Sequence, residues 1–296
     1  HDALPIYNNT PQIIGNEYIL IQKLYSDEFS EVYKVKNSAS DIFALKLAKK
    51  GIPLKKITKE IQIGMLINTK VKEPFYAIKY ISSGSDLSSK RTYIVYEFVE
   101  KNLFEYIILA QCFDERFAII VFWKLMNIIQ NLHKVGVGGI KLPLENIMID
   151  DYYNLKLSGL GSSHLVQDPS SVKSSLLEND FYQLSDIFLQ LISGKCIFKM
   201  QKDKLLKYIR KEKYELFWKA IEKQNNQKFS KDIKDLINFI LSIEFNSQKK
   251  WKLQDFLDNQ TWFKEMNSKE NEDYFKEKLK KLEDHSEGND CSYNYH

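Results

Sequence analysis

Residues able to do chemistry are spread thinly along this 296-residue chain. Cys112, Cys196 and Cys291 are an odd number at wide spacing. They compose neither a metal-ligand pattern nor a disulfide framework, so a reducing compartment is the simpler expectation. Lys46 lies in the apolar run FALKL and Glu60 in KEIQIGMLI. A lysine and a glutamate so far apart mean little unless a fold brings strand and helix together. The stretch LHKVGVGGIKLPLENIMI, residues 132–149, carries Lys141 and Asn146 among apolar neighbours. An unperturbed lysine is almost wholly charged at neutral pH, so Lys141 is no proton acceptor unless strong burial removes its proton.

Elements must position these groups, and the first half reads as strands with one helix. Tyr18 to Leu24, Glu31 to Val35 and Asp41 to Leu47 are rich in β-branched and aromatic residues. Leu54 to Ile67 shows helical spacing, with Ile57, Ile61 and Met65 on one face. Strand-like runs at Tyr76 to Ile81 and Arg91 to Phe98 flank a polar turn, SSGSDLSSK. Asp114 is the expected N-cap of a long helix whose apolar stripe runs through Phe117, Val121, Leu125, Ile128 and Leu132. Two short strands, NIMID and NLKLS, precede amphipathic helices that alternate with polar connectors to Trp262. Beyond them a Lys/Glu-rich tail reads as a mobile charged terminus with room for one helix through DYFKEKLKKLEDH.

Composition narrows the class. Apolar residues make up 44% and charged residues 28%, as in an ordinary globular protein. The net charge of +4 is spread and interleaved with acids, which argues against a nucleic-acid binder. No apolar run approaches membrane-spanning length. The opening HDALPIYNN carries neither Met nor a basic-then-apolar leader, and the expectation is a processed chain or a piece of a longer one.

Several stretches together resemble the eukaryotic protein kinase family, over roughly Tyr18 to Phe263. KLYSDEFSEVYKV looks like its Gly-rich loop, with Phe29 and Val32 in place but Tyr25, Asp27 and Ser30 at the glycine positions. Glycines belong there because a backbone without side chains lies close on phosphates and offers them its amides. FALKL resembles the strand of the nucleotide lysine, Lys46, and Glu60 stands where the helix glutamate pairs with it. Nucleotide anchoring and a merely structural ion pair are both open readings of that couple. TYIVYEFVEKNLFEYI looks like the hinge, with Tyr96 as gatekeeper and Glu97 and Val99 offering backbone groups.

In the stretch similar to the catalytic loop, the H-R-D triplet falls on Gly139, Ile140 and Lys141, Pro143 replaces the loop lysine, and Asn146 is kept. The D-F-G equivalent is Gly159-Leu160-Gly161, and Gly159 has no oxygen for Mg²⁺. Asp180 falls on the structural aspartate of the D-x-W-x-x-G helix, no A-P-E motif follows the D-F-G stretch, and the late arginine is replaced by Lys250-Trp251.

The resemblance implies an α+β, bilobal protein-kinase-like fold, with a small antiparallel β lobe carrying one helix and a larger α-helical lobe. The expected parts are an N-terminal extension over 1–15, the smaller lobe over 16–97, the larger over 98–263 and the charged tail over 264–296. It implies a degenerate nucleotide pocket of Val32, Ala44, Lys46, Glu60, Glu97, Val99, Asn146 and Met148. No catalytic residue survives at Lys141 and Gly159, no metal site is expected, and no cofactor beyond weak, metal-independent ATP binding. The expected function is that of a catalytically inactive pseudokinase, not an enzyme, acting as an intracellular, cytoplasmic scaffold, allosteric regulator or structural subunit for protein partners. The alternative is a divergent ATP-binding Ser/Thr-type protein kinase with non-standard catalytic residues.

Overall fold

The computed structural model describes residues 12–71, 76–165, 174–194, 207–245, 263 and 265–287. The chain divides into two compact units, the first ending at Val99 and the second beginning at Glu100.

The first unit is one antiparallel sheet with a helix. Its strands are β1 (Ile13–Ile14), β2 (Tyr18–Ser26), β3 (Ser30–Lys36), β4 (Ile42–Ala48), β5 (Tyr80–Asp86) and β6 (Arg91–Glu97), in the order β1-β2-β3-β4-β6-β5. The central strands SEVYKVK, IFALKLA and RTYIVYE alternate β-branched or aromatic residues with polar ones, which suits a pleated, half-buried surface. One core gathers Ile14, Tyr18, Val35, Leu45, Leu47, Tyr93 and Val95. Ile13 and Ile14, read from sequence as part of an extension, are therefore sheet residues.

Two local expectations are corrected. The strand expected at 76–81 lies at Tyr80–Asp86 instead, so SSGSD is edge strand and not turn. An edge strand exposes much of its surface, so polar residues cost it little. Its end is set by Asp86, which accepts hydrogen bonds from Ser89 N at 2.8 Å, Ser88 Oγ at 2.7 Å and Gly15 N at 3.2 Å. Helix α1 (Leu54–Lys70) does form, but Ile63 and Ile67 are its buried residues while Met65 is exposed. The face is turned by Gly64, where a Cβ would lie 2.9 Å from the Cβ of Tyr80. Only glycine lets the helix approach that closely.

The second unit is mainly helical, with α2 (Leu103–Ala110), α3 (Glu115–Lys134), α4 (Ser174–Ser193), α5 (Tyr214–Asn225), α6 (Lys231–Phe245) and α7 (Lys269–Glu287). Short strands β7 (Lys101–Asn102), β8 (Val137–Gly138), β9 (Ile147–Ile149), β10 (Leu155–Leu157) and β11 (His164–Leu165) edge it. Asp114 caps α3 as expected, accepting from Phe117 N at 2.9 Å. The stripe Phe117, Val121, Leu125, Ile128 and Leu132 is buried throughout. The α+β class expected from the sequence is the one the chain adopts.

The charged tail is the largest departure. Helix α7 packs on α2 and α3 and buries Phe275 and Leu279 completely. Phe275 stacks on Phe117 at 5.2 Å, and Phe117 stacks on Phe113 at 4.0 Å. Around this aromatic column Asp114 accepts from Tyr274 Oη at 2.6 Å and Lys278 Nζ at 3.0 Å, while Arg116 pairs with Glu270 at 2.7 Å. Glu283 takes Lys101 at 2.8 Å and the hydroxyls of Tyr153 and Tyr106. The segment is thus a structural part of the unit, because two of its few apolar residues share one face. Phe275→Ala is expected to cost about 3–5 kcal/mol in urea unfolding; a loss below 1 kcal/mol would mean that α7 is peripheral.

In the first unit, Glu31 is hydrogen-bonded by Lys23 at 2.7 Å and by Arg91 at 2.6 Å, and these bonds hold its carboxyl down at about 2. A depressed carboxyl stabilises the fold above its ordinary value of 4.5 and loses that contribution as pH falls towards 2. Lys23 is half exposed, which limits the effect. Glu31→Gln is expected to lower stability by about 1 kcal/mol at pH 7, with the gap to the parent closing as thermal melts are taken from pH 5 to pH 2.

Candidate functional site

In the first unit, antiparallel pairing sets Lys46 of β4 opposite Val32 of β3 and Ile94 of β6. Its ammonium donates to both carboxylate oxygens of Glu60, at 2.9 and 2.7 Å. Strand and helix are thus joined by a fork-like, charge-assisted contact. Tyr96 also donates its hydroxyl to Glu60, at 2.9 Å. Burial pushes the Tyr96 hydroxyl well above the ordinary tyrosine value, and the adjacent Glu60 carboxylate adds to the rise. It therefore stays a donor. The Tyr80 ring packs edge-on against Tyr96 at 6.4 Å, on the side where Gly64 leaves room. The bond from Tyr96 to Glu60 was not legible in the sequence, because it joins residues 36 positions apart.

Of the other expected pocket residues of this unit, Val32, Ala44 and Glu97 lie in the sheet and Val99 follows it. Ala44 pairs with Tyr96 across β4 and β6, and Val32 is half-buried on β3. Glu97 ends β6; its amide donates to Lys79 O at 2.9 Å, and its carboxylate accepts from Lys79 N at 2.7 Å. Val99 is the last residue of the unit.

The loop joining β2 to β3 is closed on itself. Oδ1 of Asp27 accepts from Phe29 N at 2.7 Å, Ser30 N at 2.6 Å and Ser30 Oγ at 3.2 Å. Lys49 donates its ammonium to the Asp27 carbonyl. Partial burial works against the Asp27 carboxylate, yet the amide and hydroxyl bonds, helped by the nearby charge of Lys46, leave its carboxyl below the ordinary value. Tyr25 is exposed.

In the second unit the centre is Asp180 on α4, fully buried. Its carboxylate bonds Ile140 N at 2.7 Å, Gly139 N at 3.0 Å and His133 Nε2 at 2.8 Å. Gln183, one turn along α4, donates to Ile140 O at 2.6 Å and accepts from Leu142 N at 3.0 Å. Residues 139–142 are thereby clamped on both sides, and the clamp leaves Lys141 exposed. Asn146, in a short 3₁₀ turn, is held by its own backbone, its amide donating to Pro143 O at 2.9 Å and its carbonyl accepting from Ser158 N at 2.8 Å. Gly159 has φ +68°, and a Cβ there would lie 2.6 Å from Asn146 Nδ2. The structure thus brings Asn146 and Gly159 together, with the amide filling the space a side chain at 159 would take. Met148, on β9, pairs with Asn102.

Three acids lie close to Asn146 in sequence, Glu145, Asp150 and Asp151. Asp150 is consumed by its turn, accepting from Asn154 N at 2.8 Å and Tyr152 N at 3.0 Å with Lys156 nearby, whereas Glu145 and Asp151 are exposed. Among the described residues no three His, Cys, Asp or Glu side chains group to hold a metal ion. Asn146 alone does not fit a protein-built magnesium site. Cys112 is exposed; Cys196, Cys291, Lys250 and Trp251 lie outside the described residues, as does most of the connection before α4.

A sheet carrying a lysine tied to a helix glutamate, followed by a helical unit whose buried aspartate clamps a loop, defines a kinase-like domain. Residues 18–182, more than half of the chain, match the family model described as Protein kinase domain. The chain belongs to the protein kinase domain family. It is similar to the probable serine/threonine-protein kinase KCC4 of Saccharomyces cerevisiae, 24% identical over 195 residues that cover 58% of this chain and 18% of that protein. It is also similar to Developmentally-regulated protein kinase 1 of Dictyostelium discoideum, 24% identical over 224 residues, or 70% of this chain and 30% of that protein. The chain spans less than a third of the length of either.

These comparisons correct one expectation. The chain was read as no enzyme because residues 141 and 159 carry no carboxylate; membership in a family of enzymes, and relatives that carry kinase in their names, overturn that assignment. Motif side chains alone were too narrow a basis for it. Among the described residues no helix is long and apolar enough to cross a membrane.

Asp180→Ala leaves two backbone amides and a histidine without their acceptor. It is expected to cost about 3 kcal/mol or more in urea unfolding, and an unchanged midpoint would show that the clamp is dispensable.

Proposed function

We propose that the chain is a divergent, ATP-binding protein kinase domain of the serine/threonine type, working in an intracellular setting with non-standard residues around the transferring phosphate. The observation that carries this reading is the Lys46–Glu60 pair at 2.7 Å, reinforced by Tyr96. An ammonium on the sheet, held between both oxygens of a helix carboxylate, supports a role as counter-charge for nucleotide phosphate. Phosphoryl transfer in this family passes through a loose transition state that asks the protein mainly for positioning and charge. A cation at 141 therefore slows the reaction without excluding it. Loss of a general base costs roughly 10²–10⁴-fold, so turnover near or below about one per second is expected from the usual 1–100 per second.

A second reading concerns output. Exposed Lys141 and the clamped loop around it also suit a domain whose nucleotide state governs engagement of a protein partner, as scaffold or allosteric regulator. In that reading nucleotide binds without needing the metal.

The test is thermal melting with ATP, with and without Mg²⁺, alongside radiolabelled transfer to a generic serine/threonine substrate. Saturation at 100 times Kd stabilises by about 2.7 kcal/mol, and Lys46→Ala is expected to weaken ATP at least tenfold. Metal-dependent stabilisation with transfer supports the kinase; metal-independent stabilisation without transfer favours the partner-directed reading. No ATP-dependent shift in the parent chain overturns both.

A further inference from the structure

The loop between β2 and β3 offers the backbone amides of Phe29 and Ser30, and both are already taken by one oxygen of Asp27, at 2.7 and 2.6 Å. The Ser30 hydroxyl joins them at 3.2 Å, and Ser30 is almost fully buried. The turn is braced from two further sides: Asp27 N donates to Ser30 O at 3.0 Å, and Lys49 binds both Asp27 O, through its ammonium, and Phe29 O, through its amide at 2.8 Å. Adjacent amides converging on one point form an anion-binding concavity. Here the anion is supplied by the chain itself. The Asp27 carboxylate also lies within the electrostatic reach of Lys46, the cation assigned above to nucleotide phosphate.

We infer that Asp27 is an internal competitor for nucleotide phosphates, so that this chain holds a nucleoside about as well as its di- or triphosphate until that carboxylate is displaced. The inference rests on the nucleotide-binding reading given above and sharpens its ligand preference. A phosphate approaching the loop must replace three hydrogen bonds that are already made, and must approach a fixed negative charge. Both effects weaken the phosphate end and leave the base and ribose untouched. An aspartate that only shapes the turn behaves differently, because its removal changes stability without regard to which ligand is bound.

Calorimetric titration of the whole chain with adenosine and with ADP, in the parent, Asp27→Asn and Asp27→Gly, separates these roles. Asparagine keeps an oxygen for the two amides and removes the charge; glycine frees the amides altogether. The expected result is an ADP-to-adenosine affinity ratio that rises severalfold in Asp27→Asn and about tenfold or more in Asp27→Gly, with adenosine affinity unchanged within twofold. Should Asp27→Gly fail to fold, the rise in Asp27→Asn still decides. An unchanged ratio in the variants, with Lys46-dependent ADP binding intact, overturns this inference alone. Absence of binding of either ligand by every protein overturns it together with the functional reading.

Discussion

The Glu60 carboxylate is shared between the Lys46 ammonium and the Tyr96 hydroxyl, and the functional half of the first unit depends on that sharing. A half-buried carboxylate is costly unless its oxygens are occupied. Here one lysine and one tyrosine, from β4 and β6, occupy them and fix α1 against the sheet. Gly64 makes the approach close enough, since any side chain there would collide with Tyr80. Helix, strands and the gatekeeper position are therefore one mechanical piece, and the position of the lysine follows from it.

A second buried carboxylate organises the other unit. Asp180 satisfies two consecutive amides and a histidine, which determines where residues 139–142 run whatever their side chains are. This explains how a loop can keep a kinase-like course while carrying Gly139, Ile140 and Lys141. The frame is held through backbone groups, so side chains at those positions are free to vary. Gly159 and Asn146 illustrate the reverse, since the amide lies where a Cβ at 159 would be and the positive φ suits glycine. Helix α7 completes the unit through the Phe113–Phe117–Phe275 column, with charged residues around it.

Much of the fold was legible because its signals are local. The stripe of α3, the Asp114 cap and strands rich in Val, Ile, Tyr and Phe announce themselves within a dozen residues. The edge strand Tyr80–Asp86 was misplaced because SSGSD has turn composition, and its strand character comes from pairing with β6. The buried face of α1 was misjudged for a similar reason, as Gly64 and Tyr80 set which side faces the sheet. The tail was read as mobile because charges outnumber apolar residues, while two residues on one face, Phe275 and Leu279, decide the packing.

Sequence alone determined the central strands, the presence of helices α1 and α3 and which side chains stand at residues 46, 60, 141, 146 and 159, because residue types and spacing are written in order along the chain. Tertiary structure decided which polar groups meet: Tyr96 with Glu60, His133 with Asp180, Asp27 with the amides of its own turn, and Glu283 with Lys101. Such meetings depend on how strands register and helices rotate, and those follow from the packing of the whole unit.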